Sequence, residues 1–182
     1  TQIRLALNLD GQGACVLDTP VPFLNHMLHA WAHHGRFDLE VAARGDVEID
    51  DHHTVEDIGI CLGQAFLQAL GDKKGIERYG HAYVPMDEAL AQAVVDISNR
   101  PHLELDAAFP DRQVGQMPTE LVHEFFWKFA LEARITLHLK LLAGRNTHHM
   151  VEAMYKACGR ALREAVRRDP AANTVPSTKG VL

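Results

Sequence analysis

Residues 51–56, Asp-His-His-Thr-Val-Glu, and residues 147–152, Thr-His-His-Met-Val-Glu, carry the same pattern, HHxxE, and its repetition decides how the whole chain is read. A further histidine precedes each copy at a similar distance: His26 lies 26 positions before His52, and His123 lies 25 positions before His148. On a helix, positions i and i+4 share a face while i+1 is turned by about 100°. His52 can therefore act with Glu56, and His148 with Glu152, while His53 and His149 point in a second direction. One helix thus serves two centres, and duplication makes the service reciprocal.

The flanking sequence repeats with the motif. Residues 3–9 alternate and end in Asp10-Gly11-Gln12-Gly13, a strand and a turn. Phe23, Met27, Ala30 and Trp31 are spaced as one helix face over 22–34, with Pro22 in the first turn and Gly35 at the stop. Strands are expected over 37–43 and 47–49, and a longer helix runs from Asp51 to Gly71, with a strand over 79–86. The second half gives strands over 90–97 and 102–105, a helix over 119–132, a strand over 135–141 and a last helix from Asn146. A looser stretch covers 109–118, and the tail from Pro170 is irregular. The expectation is one α+β domain, 1–182, of two strand–strand–helix–strand–helix units (about 1–88 and 89–182), with paired helices against the sheets.

Composition narrows the function. The 18 Lys and Arg against 24 Asp and Glu give a net charge of -6, with no basic stripe to neutralise a phosphate backbone, so nucleic acid is excluded as a partner. No apolar run reaches a membrane span and no secretion signal opens the chain, so a cytoplasmic protein without membrane contact is expected. Three scattered cysteines without CxxC spacing give neither a disulfide framework nor a thiolate zinc site. The excess is in histidine, with 12 copies.

A single histidine is more often a hydrogen-bonded core residue than a ligand; a duplicated H…HHxxE is hard to produce by packing. The simplest assignment gives one metal His52, Glu56, His123 and His149, and the other His148, Glu152, His26 and His53. Three imidazoles and one carboxylate per metal suit Zn, Fe, Ni, Cu or Mn alike. HExxH is absent, which excludes a zincin, and a ferritin-like centre would need more carboxylates.

The segments Phe23-Leu-Asn-His-Met-Leu28, Gly45-Asp-Val-Glu-Ile-Asp-Asp-His-His-Thr-Val-Glu-Asp57, Pro85-Met-Asp-Glu-Ala-Leu90, Asp96-Ile-Ser-Asn-Arg-Pro101, Asn146-Thr-His-His-Met-Val-Glu152 and Pro176-Ser-Thr-Lys-Gly180 together resemble the imidazoleglycerol-phosphate dehydratase family of histidine biosynthesis. The resemblance spans nearly the whole chain. It implies helices sandwiched between two four-stranded sheets, and a homo-oligomer of 24 subunits in the family, with two Mn²⁺ per active site at subunit interfaces. The implied substrate is a small phosphorylated imidazole, D-erythro-imidazoleglycerol phosphate, dehydrated to imidazole acetol phosphate. Two cations on the ring nitrogens would favour the imidazolate, whose electron density could expel the side-chain hydroxyl.

The resemblance assigns substrate contacts to His34, Arg78, Arg100, Lys156, Ser177 and Lys179; Arg holds a phosphate through paired donors and Lys as a compact charge. Lys156 also falls one helical turn beyond Glu152 by spacing alone. Ala30 stands where the family usually has Gln, so one amide contact to the phosphate is expected to be missing. The family's main acid–base glutamate would precede Thr1; within the chain Glu56, Glu152 and His34 are the remaining proton carriers. A dimetal hydrolase of a small phosphorylated compound and a structural metal site are the competing readings.

Overall fold

The computed structural model describes residues 1–182. Its elements in chain order are β1 (Gln2–Asn8), β2 (Cys15–Asp18), α1 (Pro22–Gly35), β3 (Asp38–Arg44), α2 (His52–Leu70), β4 (Tyr79–Met86), β5 (Ala89–Asp96), β6 (His102–Asp106), β7 (Gln113–Val114), β8 (Met117–Pro118), α3 (Glu120–Ala133), β9 (Thr136–Ala143) and α4 (Thr147–Val166). Strand order is β1-β3-β2 in one sheet and β4-β5-β9-β6 in the other, with β7 and β8 forming a small separate ribbon. β1 runs antiparallel and β2 parallel to β3; β5 runs antiparallel and β6 parallel to β9. The strands β5, β9 and β6 therefore repeat the arrangement of β1, β3 and β2.

The strands alternate buried and exposed residues, as a sheet with one covered face requires. The covered faces meet the helices. α2 packs on β1 and α1 on β2, whereas α4 packs on β4 and β5 and α3 on β6. The helices in turn pair across the halves, α1 with α4 and α2 with α3, and their apolar faces join the sheets in a core cluster of 45 buried residues. Each long helix thus crosses a short helix of the other half, which brings His148 and Glu152 to α1.

Three expectations are corrected. Residues 47–49 form a turn rather than a strand: the Ile49 N–H donates to the Asp46 carbonyl at 2.9 Å, and Ile49 is 72% exposed, so no sheet face is there to bury it. The second strand of the first unit is instead β2, whose four residues are too few to show alternation above noise. The first sheet has three strands where four were expected, because β4 has no counterpart in the first half, whose strands begin with β1, the equivalent of β5.

The two short helices end alike. Arg36 and Arg134 both adopt left-handed backbone, φ 54° and 53°, and their N–H groups close onto Ala32 and His33, and onto Ala130 and Leu131. The next residues, Phe37 and Ile135, donate back to Ala32 and Ala130 at 2.9 and 3.1 Å, so both helices finish in a Schellman-type stop. This shared ending fixes the register between the halves independently of residue identity.

Candidate metal centre

α1 and α4 gather three of the predicted residues. The Nε2 atoms of His26 and His148 lie 3.1 and 3.0 Å from the same oxygen, Oε2 of Glu152. All three ligating atoms fall within 4.8 Å of one another. Glu152 is 7% exposed, and its other oxygen meets the Lys156 ammonium at 2.6 Å. Burial works to raise the Glu152 carboxyl, but hydrogen bonds from Lys156, His26 and His148 bring it below the ordinary range. Phe23 closes one side, its ring 5.3 Å from that of His148. Two imidazoles and a buried carboxylate converging on one point form a donor set that fits a first-row divalent cation.

The remaining predicted residues, on α2 and α3, form no second group of such close convergence, and the helix register there turns Glu124 rather than His123 toward α2. Setting the Arg36 helix end on that of Arg134 aligns Leu24, Met27, Leu28, Trp31 and Ala32 with Val122, Phe125, Phe126, Phe129 and Ala130, all buried. In this register the counterpart of His26 is Glu124, not His123. His123 is exposed and makes no polar contact with the site, since it sits one residue, about 100°, around α3. Glu124 faces α2, where the Lys128 ammonium joins it, at 3.5 Å, to Glu56, at 2.7 Å. That ammonium holds the Glu56 carboxyl below its ordinary range. His52 stands one turn before Glu56 on the same face of α2.

His53 and His149 join neither cluster within the chain. His53 Nδ1 lies 3.0 Å from Asp46, and His149 Nδ1 lies 2.9 Å from Glu88. Each carboxylate raises its histidine above the ordinary value through that hydrogen bond. Glu88 is itself held down to about 2 by His149 and by the Asn146 and Arg145 N–H groups. A carboxylate on Nδ1 fixes an imidazole's orientation and leaves Nε2 to face outward, the arrangement common behind metal-ligating histidines. Asp46, Glu88, Glu124 and Lys128 were not singled out by sequence; the only local signal was that a second histidine beside a first needs its own orienting partner.

The predicted phosphate contacts divide. His34 lies near Lys156, and burial followed by that positive charge lowers its pKa. It lines a cleft of about 640 Å³ together with Arg36, Arg160 and Arg163. Arg78, Arg100, Ser177 and Lys179 lie elsewhere. The Arg78 Nε donates to Asp96 at 2.7 Å, its Nη1 to the Pro176 carbonyl at 2.9 Å, and Arg100 reaches the same aspartate at 3.4 Å. The Lys179 N–H donates to the Ser177 hydroxyl at 3.2 Å. Because the Arg78 N–H bonds to the Ala165 carbonyl, this group sits at the far end of α4 from Glu152. Thirteen residues of helix make that roughly 20 Å, at about 1.5 Å per residue.

Comparison with known proteins identifies the family. The sequence model of the family described as imidazoleglycerol-phosphate dehydratase matches residues 19–162. The imidazoleglycerol-phosphate dehydratase of Bacillus velezensis is 65% identical over 182 residues, covering 100% of this chain and 94% of the relative; that of Bacillus subtilis is 63% identical with the same coverage. The crystal structure of the Staphylococcus aureus dehydratase superposes with a TM-score of 0.87 at 45% identity, covering 92% of this chain and 95% of that one. The Pyrococcus furiosus structure gives 0.85 at 39% identity, covering 99% and 95%. The chain belongs to the imidazoleglycerol-phosphate dehydratase family, enzymes of the lyase class.

Proposed function

We propose that this chain dehydrates D-erythro-imidazoleglycerol phosphate to imidazole acetol phosphate in histidine biosynthesis, using two Mn²⁺ per active site. The observation that carries the reading is the convergence of His26, His148 and Glu152 on one point, drawn from both halves of the chain. His26, His148 and Glu152 would hold one cation, and His52, Glu56 and Glu124 the other, with Glu124 replacing the His123 expected from sequence. When bound, the cations supply stabilisation of the deprotonated imidazole ring of the substrate.

The chain's own groups do the rest. Lys156 contributes positive charge beside Glu152, where a substrate phosphate needs it. His34, lowered by burial, presents a neutral imidazole that can accept a proton at neutral pH. The remaining parts point to a site shared between copies. His53 and His149 are held by Asp46 and Glu88 and join neither cluster, and Arg78, with Arg100 on the same aspartate, sits roughly 20 Å along α4 from Glu152, too far to meet a small substrate held there. A homo-oligomer, of 24 subunits as in the family, would bring these groups from neighbouring copies to each cluster.

The test is to strip the purified protein with chelator, add imidazoleglycerol phosphate with and without Mn²⁺, and follow imidazole acetol phosphate and free phosphate. Manganese-dependent ketone without phosphate release is the expected result. Phosphate release would replace the dehydratase with a hydrolase, and subunit dissociation on stripping with no chemistry under any condition would leave a structural metal site.

A further inference from the structure

Lys128 has no explained role in either the sequence pattern or the reaction, yet its ammonium is the one group that touches both carboxylates of the second cluster. The register of the short helices makes its position informative. The counterpart of Lys128 in α1 is Ala30, and the counterpart of Lys156 in α2, aligned on HHxxE, is Ile60. Each cluster therefore has one lysine on a glutamate oxygen, but the two come from opposite helices: Lys156 from the long helix, 2.6 Å from Glu152, and Lys128 from the short helix, 2.7 Å from Glu56. The lysine in the second cluster accompanies a change of ligand. Glu124 stands where the first cluster has His26, so α2 and α3 set two carboxylates, Glu56 and Glu124, on one ammonium.

We propose that Lys128 is the resident counter-ion of the second cluster and sets how tightly that cluster holds a divalent cation. This rests on reading the two clusters as cation sites. Two carboxylates converging at a half-buried position repel each other, and an ammonium 2.7 and 3.5 Å from them relieves that repulsion. The Glu124–Lys128 spacing of one turn, with the acid N-terminal to the base, is the favourable helical order. The Lys128 side chain is 23% exposed and the two glutamates 24% each, so the charges are only partly screened by water. A cation arriving between Glu56 and Glu124 meets the ammonium on the same oxygens and must displace it or work against its charge. Lys128 thus weakens the second site and makes the two sites unequal.

The experiment titrates the chelator-stripped full chain with Mn²⁺ and measures free Mn²⁺ by its paramagnetic resonance signal, comparing wild type with Lys128→Met and Lys128→Arg. Wild type is expected to show two classes of site. Lys128→Met should tighten the weaker class by about tenfold and leave the tighter class unchanged. Lys128→Arg, whose fork can hold both carboxylates at once, should weaken the same class, which keeps the test readable if the methionine variant does not fold. A weaker class that is unmoved or loosened in Lys128→Met, or tightened in Lys128→Arg, overturns the proposal. Failure of wild type to bind Mn²⁺ at all would overturn it together with the reading of the clusters as cation sites.

Discussion

Replacing Gly159 with alanine tests the crossing on which the first cluster depends. A Cβ built at this position would collide with the Trp31 carbonyl oxygen of α1, and would lie 3.1 Å from the Trp31 carbonyl carbon and 3.2 Å from the Gly35 nitrogen. These are backbone atoms, which cannot swing aside as a side chain would. The helices must separate by roughly 1 Å, and overpacking of this kind costs about 1–3 kcal/mol. Alanine also gains about 1 kcal/mol over glycine in a helix interior. The two effects oppose, and with backbone atoms in the way the collision prevails, for a net loss of up to about 2 kcal/mol. His26 rides on α1 and His148 and Glu152 on α4, so the same shift would open their 3.0–3.1 Å contacts and weaken Mn²⁺ binding at that cluster. Urea unfolding at fixed protein concentration, with Mn²⁺ titration of the folded variant, reads both effects. A stabilised variant, gaining the helix preference without loss, would refute the close crossing.

Other expectations are more local. The Tyr155 hydroxyl is fully buried without a hydrogen-bond partner, so Tyr155→Phe should stabilise the fold by about 1 kcal/mol, raising the melting temperature by roughly 2–4 °C; a clear loss would show that the hydroxyl has a partner. Asp38 Oδ1 accepts from the Gln12, Gly13 and Ala14 N–H groups at 2.9–3.1 Å, which hold its carboxyl below the ordinary 3.8. Its charge therefore contributes fully above that value and is lost as pH falls through the lower folded pKa. The deficit of Asp38→Asn in urea midpoint, present at pH 7, should shrink below about pH 3.8; an unchanged deficit would refute the role of the charge. Arg78 anchors the tail through the Pro176 carbonyl, so Arg78→Ala should speed tryptic cleavage after Lys179 severalfold, measured by mass spectrometry of the products; an unchanged rate would place the anchor elsewhere.

Sequence alone determined what local periodicity can carry. The HHxxE copies lie at the starts of the two long helices, and 3.6-residue spacing was sufficient to put His52 with Glu56 and His148 with Glu152. Helix ends at Gly35 and near Gly71, and most strands, followed from turn chemistry and alternation. Which element crosses which was not local information. Spacing by residue type points to His123, 25 positions before His148, as the match of His26. The folded register is set instead by the buried faces and left-handed ends of α1 and α3, and these place Glu124 opposite Glu56. Asp46 and Glu88 fall inside segments that match the family, but their pairing with His53 and His149 is tertiary information: a carboxylate 61 positions from His149 gives no periodic signal. The separation of Arg78 and Arg100 from Glu152 likewise appears only once α4 lies along β4, because strand and helix direction, not sequence proximity, decide which charges share a site.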